Sequence, residues 1–158
     1  MVEERYCSYE VSNLLQEKGF NQECFAKYAK EACTERYYDD YREKMLSWTI
    51  RPGELIIPSI DRESYEVYGV MIPAPTHQMA CDWIYENYGL WVQVFLYVTL
   101  SKGKKEDNFT SKKIKWTFDI VTKFPEKGPY QYYEPVREEF DSQHEATEAG
   151  LKYILKRI

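Results

Sequence analysis

The sequence predicts an α+β fold: an antiparallel sheet of about four to six strands with about three helices packed mainly on one face. Three observations carry this. A short capped helix, stopped by a glycine and followed by an apolar strand start, occurs twice, at 8–20 and 76–98. Two long alternating segments, 91–99 and 113–123, flank a polar stretch containing Gly103. A third helical stripe closes the chain.

The first helix is expected from Ser8 to Lys18. Ser8 is a good N-cap, because its hydroxyl accepts from an otherwise unpaired first-turn N–H. Val11, Leu14 and Leu15 share one face with the Lys18 stem. Gly19 suits the left-handed position after a helix, with Phe20 folding back on Leu15. The second helix repeats the pattern. Thr76 caps it, Met79, Ala80, Trp83, Ile84 and Tyr88 face inward, and Gly89 ends it. Pro73 and Pro75 prevent an earlier start.

Trp91–Thr99 alternates, with Trp91, Gln93, Phe95 and Tyr97 on one side and Val92, Val94, Leu96 and Val98 on the other. Lys113–Lys123 alternates likewise, and the two read as a long antiparallel hairpin. Pro129–Val136 is a weaker strand that Pro135 confines to an edge or an end. Glu23–Lys30 reads as a strand, although Cys24, Phe25, Tyr28, Ala29, Ala32 and Cys33 also form a helical stripe. Lys44–Ile50 and Tyr65–Ile72 are further strands, and Arg51-Pro52-Gly53 is a turn. The last helix starts at a cap on Asp141 or at a capping box from Ser142 to Glu145. Its apolar stripe runs through Ala146, Ala149, Gly150, Tyr153 and Ile154. The expected core is Val11, Leu14, Leu15, Phe20, Met79, Trp83, Ile84, Val94, Leu96, Ile114, Trp116, Phe118, Ile120, Ile154 and Leu155.

A chain of 158 residues fits one domain, 1–158. The net charge of −5 is uneven: residues 1–99 carry 9 Lys+Arg against 16 Asp+Glu, residues 100–158 carry 12 against 10. An acidic whole disfavours a sequence-independent nucleic-acid binder, which needs a phosphate-neutralising face. Cys7, Cys24, Cys33 and Cys81 show no C-x-x-C pair and no ligand spacing with His. Residues 1–5 lack a basic and apolar leader pattern, and the longest apolar run is too short to span a bilayer. The simplest expectation is a cytoplasmic protein with reduced thiols and no membrane partner.

Three blocks follow in order: Val11–Phe20, then Ala74–Ala80 leading to Trp83, then Phe140-Asp141-Ser142 leading to Glu145–Leu151. In these the chain resembles a group of small uncharacterised proteins of Bacteroides-type gut bacteria and their phages or mobile elements. The resemblance covers about a third of the chain. It implies a bacterial or phage cytoplasmic setting and no particular chemistry.

No P-loop, no G-x-S-x-G and no G-x-G-x-x-G occurs, so no catalytic residue and no cofactor is expected, and the reading leans away from an enzyme. His77 and His144, the only histidines, both fall in a first helical turn; the pair could bind a metal or shuttle protons if the two helix starts were adjacent, but nothing in the spacing requires it and no third ligand is evident, so no metal site is expected. Cys81, mid-helix, reads as a small apolar packer. The 15 tyrosines are the compositional outlier. They fill half-buried strand positions, or they line a contact surface as aromatic residues do at protein interfaces. The best contact candidates are Tyr37, Tyr38 and Tyr41, and Tyr130, Tyr132 and Tyr133. The expected function is therefore a non-enzymatic, protein-binding accessory role. The alternative is a nucleic-acid-associated hairpin in which Lys102, Lys104, Lys105, Lys112, Lys113 and Lys115 grip phosphates while Phe109 or Trp116 stacks on a base.

Overall fold

The computed structural model describes residues 5–58, 66–102, 109–123 and 138–158, and of 99–102 and 109–112 the backbone alone. The class is α+β, with three helices and eight strands among the described residues. The contacts divide the chain into two compact units, Met1–Ala80 and Cys81–Ile158.

The first unit opens with α1 (Tyr9–Glu17). The Ser8 hydroxyl accepts from the Val11 N–H at 3.3 Å, as an N-cap should. Gly19 takes φ +94°, its N–H donates to the Gln16 carbonyl at 3.0 Å, and the Phe20 N–H donates to the Leu15 carbonyl at 2.9 Å. This paired closure uses two of the last carbonyls that the helix leaves unpartnered.

Six short strands follow: β1 (Ala26–Ala29), β2 (Cys33–Asp39), β3 (Lys44–Ile50), β4 (Leu55–Ile56), β5 (Glu66–Tyr68) and β6 (Met71–Ala74). They form two antiparallel sheets, ordered β4-β1-β6 and β3-β2-β5. The two orders correspond strand for strand, because β1 runs on into β2, β3 into β4 and β5 into β6. All three paths break at one level. The breaks are Lys30–Ala32, the Arg51–Glu54 turn, and Gly69–Val70. The Lys30 N–H still donates to the Val70 carbonyl at 2.8 Å across this corner. Gly69, at φ +142°, brings its backbone so near Cys33 that an added Cβ would lie 3.1 Å from the Cys33 Cα. Only glycine fits there. The expected strand Tyr65–Ile72 is thus two strands, divided by that glycine.

Two clusters fill this unit. Ala26, Tyr28, Ile72 and Ala74 pack with Tyr6, Tyr9 and Leu55. Ala29, Cys33, Ile50 and Ile56 pack with Val67 and Met71. The Tyr28 hydroxyl donates to the Cys7 carbonyl at 2.7 Å, and the Tyr9 and Tyr28 rings meet edge to face at 5.7 Å. The strand reading of the segment after Gly19 therefore holds over Ala26–Ala29.

Helix α2 (His77–Tyr88) carries the division between the units. The Thr76 hydroxyl accepts from the Met79 N–H at 3.3 Å. Gly89, at φ +66°, ends the helix with one bond, its N–H donating to the Tyr85 carbonyl at 2.9 Å. The second unit continues with β7 (Leu90–Lys102), β8 (Phe109–Thr122) and α3 (Gln143–Leu155). β7 and β8 form one long antiparallel ribbon, in register from Leu90↔Thr122 to Lys102↔Phe109. Phe140 bridges the outer edge of β8 at Trp116, with reciprocal N–H to carbonyl bonds of 2.8 Å. At the start of α3 the reciprocal Ser142–Glu145 capping box is present.

α3 packs on both strands of the ribbon. An added Cβ at Gly150 would collide with a Val92 methyl and lie 3.2 Å from the Phe118 ring. Phe118, Ile120, Val92, Ala146, Leu151, Ile154 and Leu155 are buried around this seam.

Further expectations change, beginning with Tyr88, expected to face inward on α2 but exposed. The strands fall into three small antiparallel sheets rather than one sheet of four to six strands, because the corner at Lys30–Ala32 and Gly69 interrupts pairing and the β7–β8 ribbon pairs within itself. Leu96 and Ile114, expected in the core, are 53% and 51% exposed. They lie farther along the ribbon than the Val92–Phe118 level that Gly150 of α3 meets. The expected strand Pro129–Val136 lies outside the described residues.

Candidate functional site

The β3-β2-β5 sheet positions the first tyrosine cluster. Successive side chains of a strand point to opposite faces, so the pleat separates Tyr37 from Tyr38. Tyr37 shares a face with Cys33, Glu35, Leu46, Trp48 and Ile50, as the register requires. There it meets the Trp48 ring edge to face, with centroids 4.8 Å apart, and the Trp48 indole N–H donates to the Glu35 carboxylate.

Tyr38 points to the other face. That face runs from Tyr68, Thr34 and Thr49 through Glu66, Arg36 and Ser47 to Tyr38 and Met45, and every one of these side chains is exposed. Tyr38 stands directly across from Met45, and Tyr68 directly across from Thr34. Four residues along β2 separate the two ends, roughly 13 Å at a strand rise of ~3.3 Å per residue. The Tyr68 hydroxyl donates to the Glu66 carboxylate, and that bond raises the phenol pKa above its ordinary value, so the ring stays neutral. Arg36 stands opposite Glu66 in the register, placing opposite charges across the two strands.

Tyr41 sits at the tip of the loop between β2 and β3 and is fully exposed. Asp39 builds the loop. Its Oδ1 accepts from the Tyr41 N–H at 3.0 Å and the Arg42 N–H at 3.2 Å, and Glu43 closes the loop in a left-handed conformation at φ +50°. An aspartate that satisfies the turn's own amides presets such a loop.

The structure therefore places Tyr38 and Tyr41 at one end of the sheet, adds Met45 beside Tyr38, and sets Tyr68 on the Tyr38 face at the other end; the sequence pattern singled out neither Met45 nor Tyr68. Met45 was legible in the Lys44–Ile50 alternation. Tyr68 was not, because only the β2–β5 register shows which face it joins. Tyr130, Tyr132 and Tyr133 lie outside the described residues.

Of the lysine hairpin, Lys104 and Lys105 lie outside the described residues, and only the backbone of Lys102 and Lys112 is described. Lys113 and Lys115 are both engaged: Lys113 pairs with Glu139 and Lys115 with Asp141. The hydrogen bond between Lys115 and Asp141 raises the ammonium pKa and lowers the carboxyl pKa.

The four cysteines are free and buried. Burial pushes the Cys24 and Cys33 thiols up, and that of Cys81 up to about 12, so these three stay protonated at neutral pH. His77 and His144 both fall in the first turn of their helices. Among the described residues no helix is long and apolar enough to cross a membrane. Comparison with protein families, with curated proteins and with solved structures finds no match.

Proposed function

We propose that this chain is a non-enzymatic interaction protein, an accessory factor in a bacterial or mobile-element system, that binds another protein through the exposed face of the β3-β2-β5 sheet and its loop. The observation that carries this reading is the juxtaposition of Tyr38, Met45 and Tyr68 with Thr34, Ser47 and Thr49 on one solvent-facing sheet face, with Tyr41 fully exposed on the loop at its end. Tyrosine and methionine offer large apolar contact at low ordering cost, and small hydroxyl residues offer adaptable hydrogen bonds. The preset loop spares Tyr41 part of the ordering entropy of binding.

The nucleic-acid alternative loses ground at Lys113 and Lys115, whose charges are already matched by Glu139 and Asp141. A phosphate would have to displace those carboxylates.

The test is capture of a protein partner by the immobilised chain, followed by titration of that partner against Tyr38→Ala/Tyr68→Ala. Contact aromatics of this kind cost about 1–2 kcal/mol each on truncation, so affinity should fall at least about tenfold. Unchanged affinity in the folded double variant would overturn the reading. Tight, salt-sensitive binding of single-stranded oligonucleotides would promote the lysine hairpin instead.

A further inference from the structure

Among the described residues β7 has one unpaired edge, and its chemistry is nearly symmetric about one residue. The backbone parity follows from two observations. The Trp116 N–H and carbonyl are both spent on Phe140, on the far side of β8 from β7. Its partner across the ribbon is Leu96. In an antiparallel pair such a residue pair is non-hydrogen-bonded, so the Leu96 N–H and carbonyl also point away from β8. The other end of the ribbon agrees, since the Lys123 N–H donates to the Gly89 carbonyl, setting odd-numbered β7 residues inward and even-numbered ones outward. Val92, Val94, Leu96 and Val98 thus offer their backbone groups to the outer edge, and among the described residues no strand pairs there.

The β7 sequence itself carries no guard along this edge. From Leu90 to Ser101 there is no charged residue and no proline, which are the usual devices against edge-to-edge pairing. Leu96 and Val98 on β7, and Ile114 across from Val98, are exposed on the same face.

The order of residues identifies the occupant. Outward from Leu96 the chain reads Phe95 and Tyr97, Val94 and Val98, Gln93 and Thr99, Val92 and Leu100. Aromatic matches aromatic, valine matches valine, polar matches polar and aliphatic matches aliphatic. A strand with this pattern meets its own like when it pairs antiparallel with a second copy about a twofold axis at Leu96. A twofold contact requires such self-complementarity, and the absence of charge removes like-charge repulsion on the strand itself. We infer that the chain forms a homodimer by β7–β7 pairing centred on Leu96, giving a four-stranded sheet ordered β8-β7-β7-β8.

Light scattering of the purified chain over a wide concentration range tests this. The expected mass is twice 18.9 kDa, dissociating on dilution. Leu96→Lys places two like charges at the axis and is expected to be a folded monomer by circular dichroism. Leu96→Cys is expected to cross-link into a covalent dimer under mild oxidation. Phe95→Cys is not, because residue 95 faces residue 97 of the partner and only diagonally meets its own copy, at ~7–8 Å, beyond disulfide reach. The native cysteines are buried and supply the background control. A native chain that stays monomeric overturns the inference, as does a folded Leu96→Lys chain that stays dimeric. Equal cross-linking at both cysteine positions overturns the register. If Leu96→Lys fails to fold, the cysteine pair decides, since an exposed leucine tolerates that change.

Discussion

The β2–β3 and β7–β8 hairpins are both antiparallel and in register, yet they meet water differently. β2–β3 carries Glu35, Arg36, Asp39 and Lys44 within its ladder, is buried only at its Cys33–Ile50 base, and ends in a loop tied by Asp39. β7–β8 places most of its charges on β8, leaves β7 uncharged from Leu90 to Ser101, and has α3 packed on it. The first hairpin can show aromatics to solvent because interspersed charges discourage strand addition. The second has traded that protection for apolar packing, and beyond the seam of α3 the trade leaves Leu96 and Ile114 bare.

The sharpest way to break this comparison is to remove one ring from each hairpin. Phe118→Ala empties a buried site against α3 and is expected to cost ~3–5 kcal/mol. Trp48→Ala removes a ring that is 41% exposed and is expected to cost ~1 kcal/mol, mostly its edge contact with Tyr37. Equal losses in urea titrations would show that both hairpins carry comparable cores.

The seam itself can be tested at Gly150. Alanine gains up to ~1 kcal/mol of helix propensity but overpacks Val92 and Phe118 at ~1–3 kcal/mol. A net loss of about 1–2 kcal/mol is expected, recovered in part by adding Val92→Ala. A stabilised Gly150→Ala chain would mean that α3 is not seated on the ribbon. At the join into β7, Gly89→Ala is expected to cost ~1 kcal/mol through its left-handed backbone; a neutral result would put that residue in ordinary helical geometry.

The smallest effect is the pH dependence of the Lys115–Asp141 pair. The Asp141 pKa is lowered, so its contribution is present above the ordinary carboxylate range and is lost as pH falls through the lowered value. The Lys115 pKa is raised, so its share is present below the ordinary lysine range and is lost as pH rises through the raised value. Asp141→Asn should flatten both limbs slightly in denaturation midpoints measured against pH. Identical profiles for native and variant chains would show that the pair contributes nothing.

The capped helices, both left-handed glycines and the long hairpin were legible because each rests on local chemistry: Ser8, Thr76, Ser142 with Glu145, Gly19 and Gly89 act on amides and carbonyls within a turn. The corner through Lys30–Ala32 and Gly69 was not, since its cause is a glycine pressed against Cys33 from 36 positions away. The exposure of Leu96 was hidden for a similar reason. Alternation assigns a residue to a face but does not reveal how far a covering helix extends along it. Tyr38 and Tyr41 were found from their residue types, whereas Tyr68 needed the register.

The corner also supplies a built-in clock. Cys33 is buried beneath Gly69 with its thiol pKa raised by desolvation, so a thiol reagent must wait for the bend to open. The modification rate of Cys33 therefore reports how often the two sheet segments part at that point. Substitutions that shift this rate without moving the global unfolding midpoint act on the hinge alone.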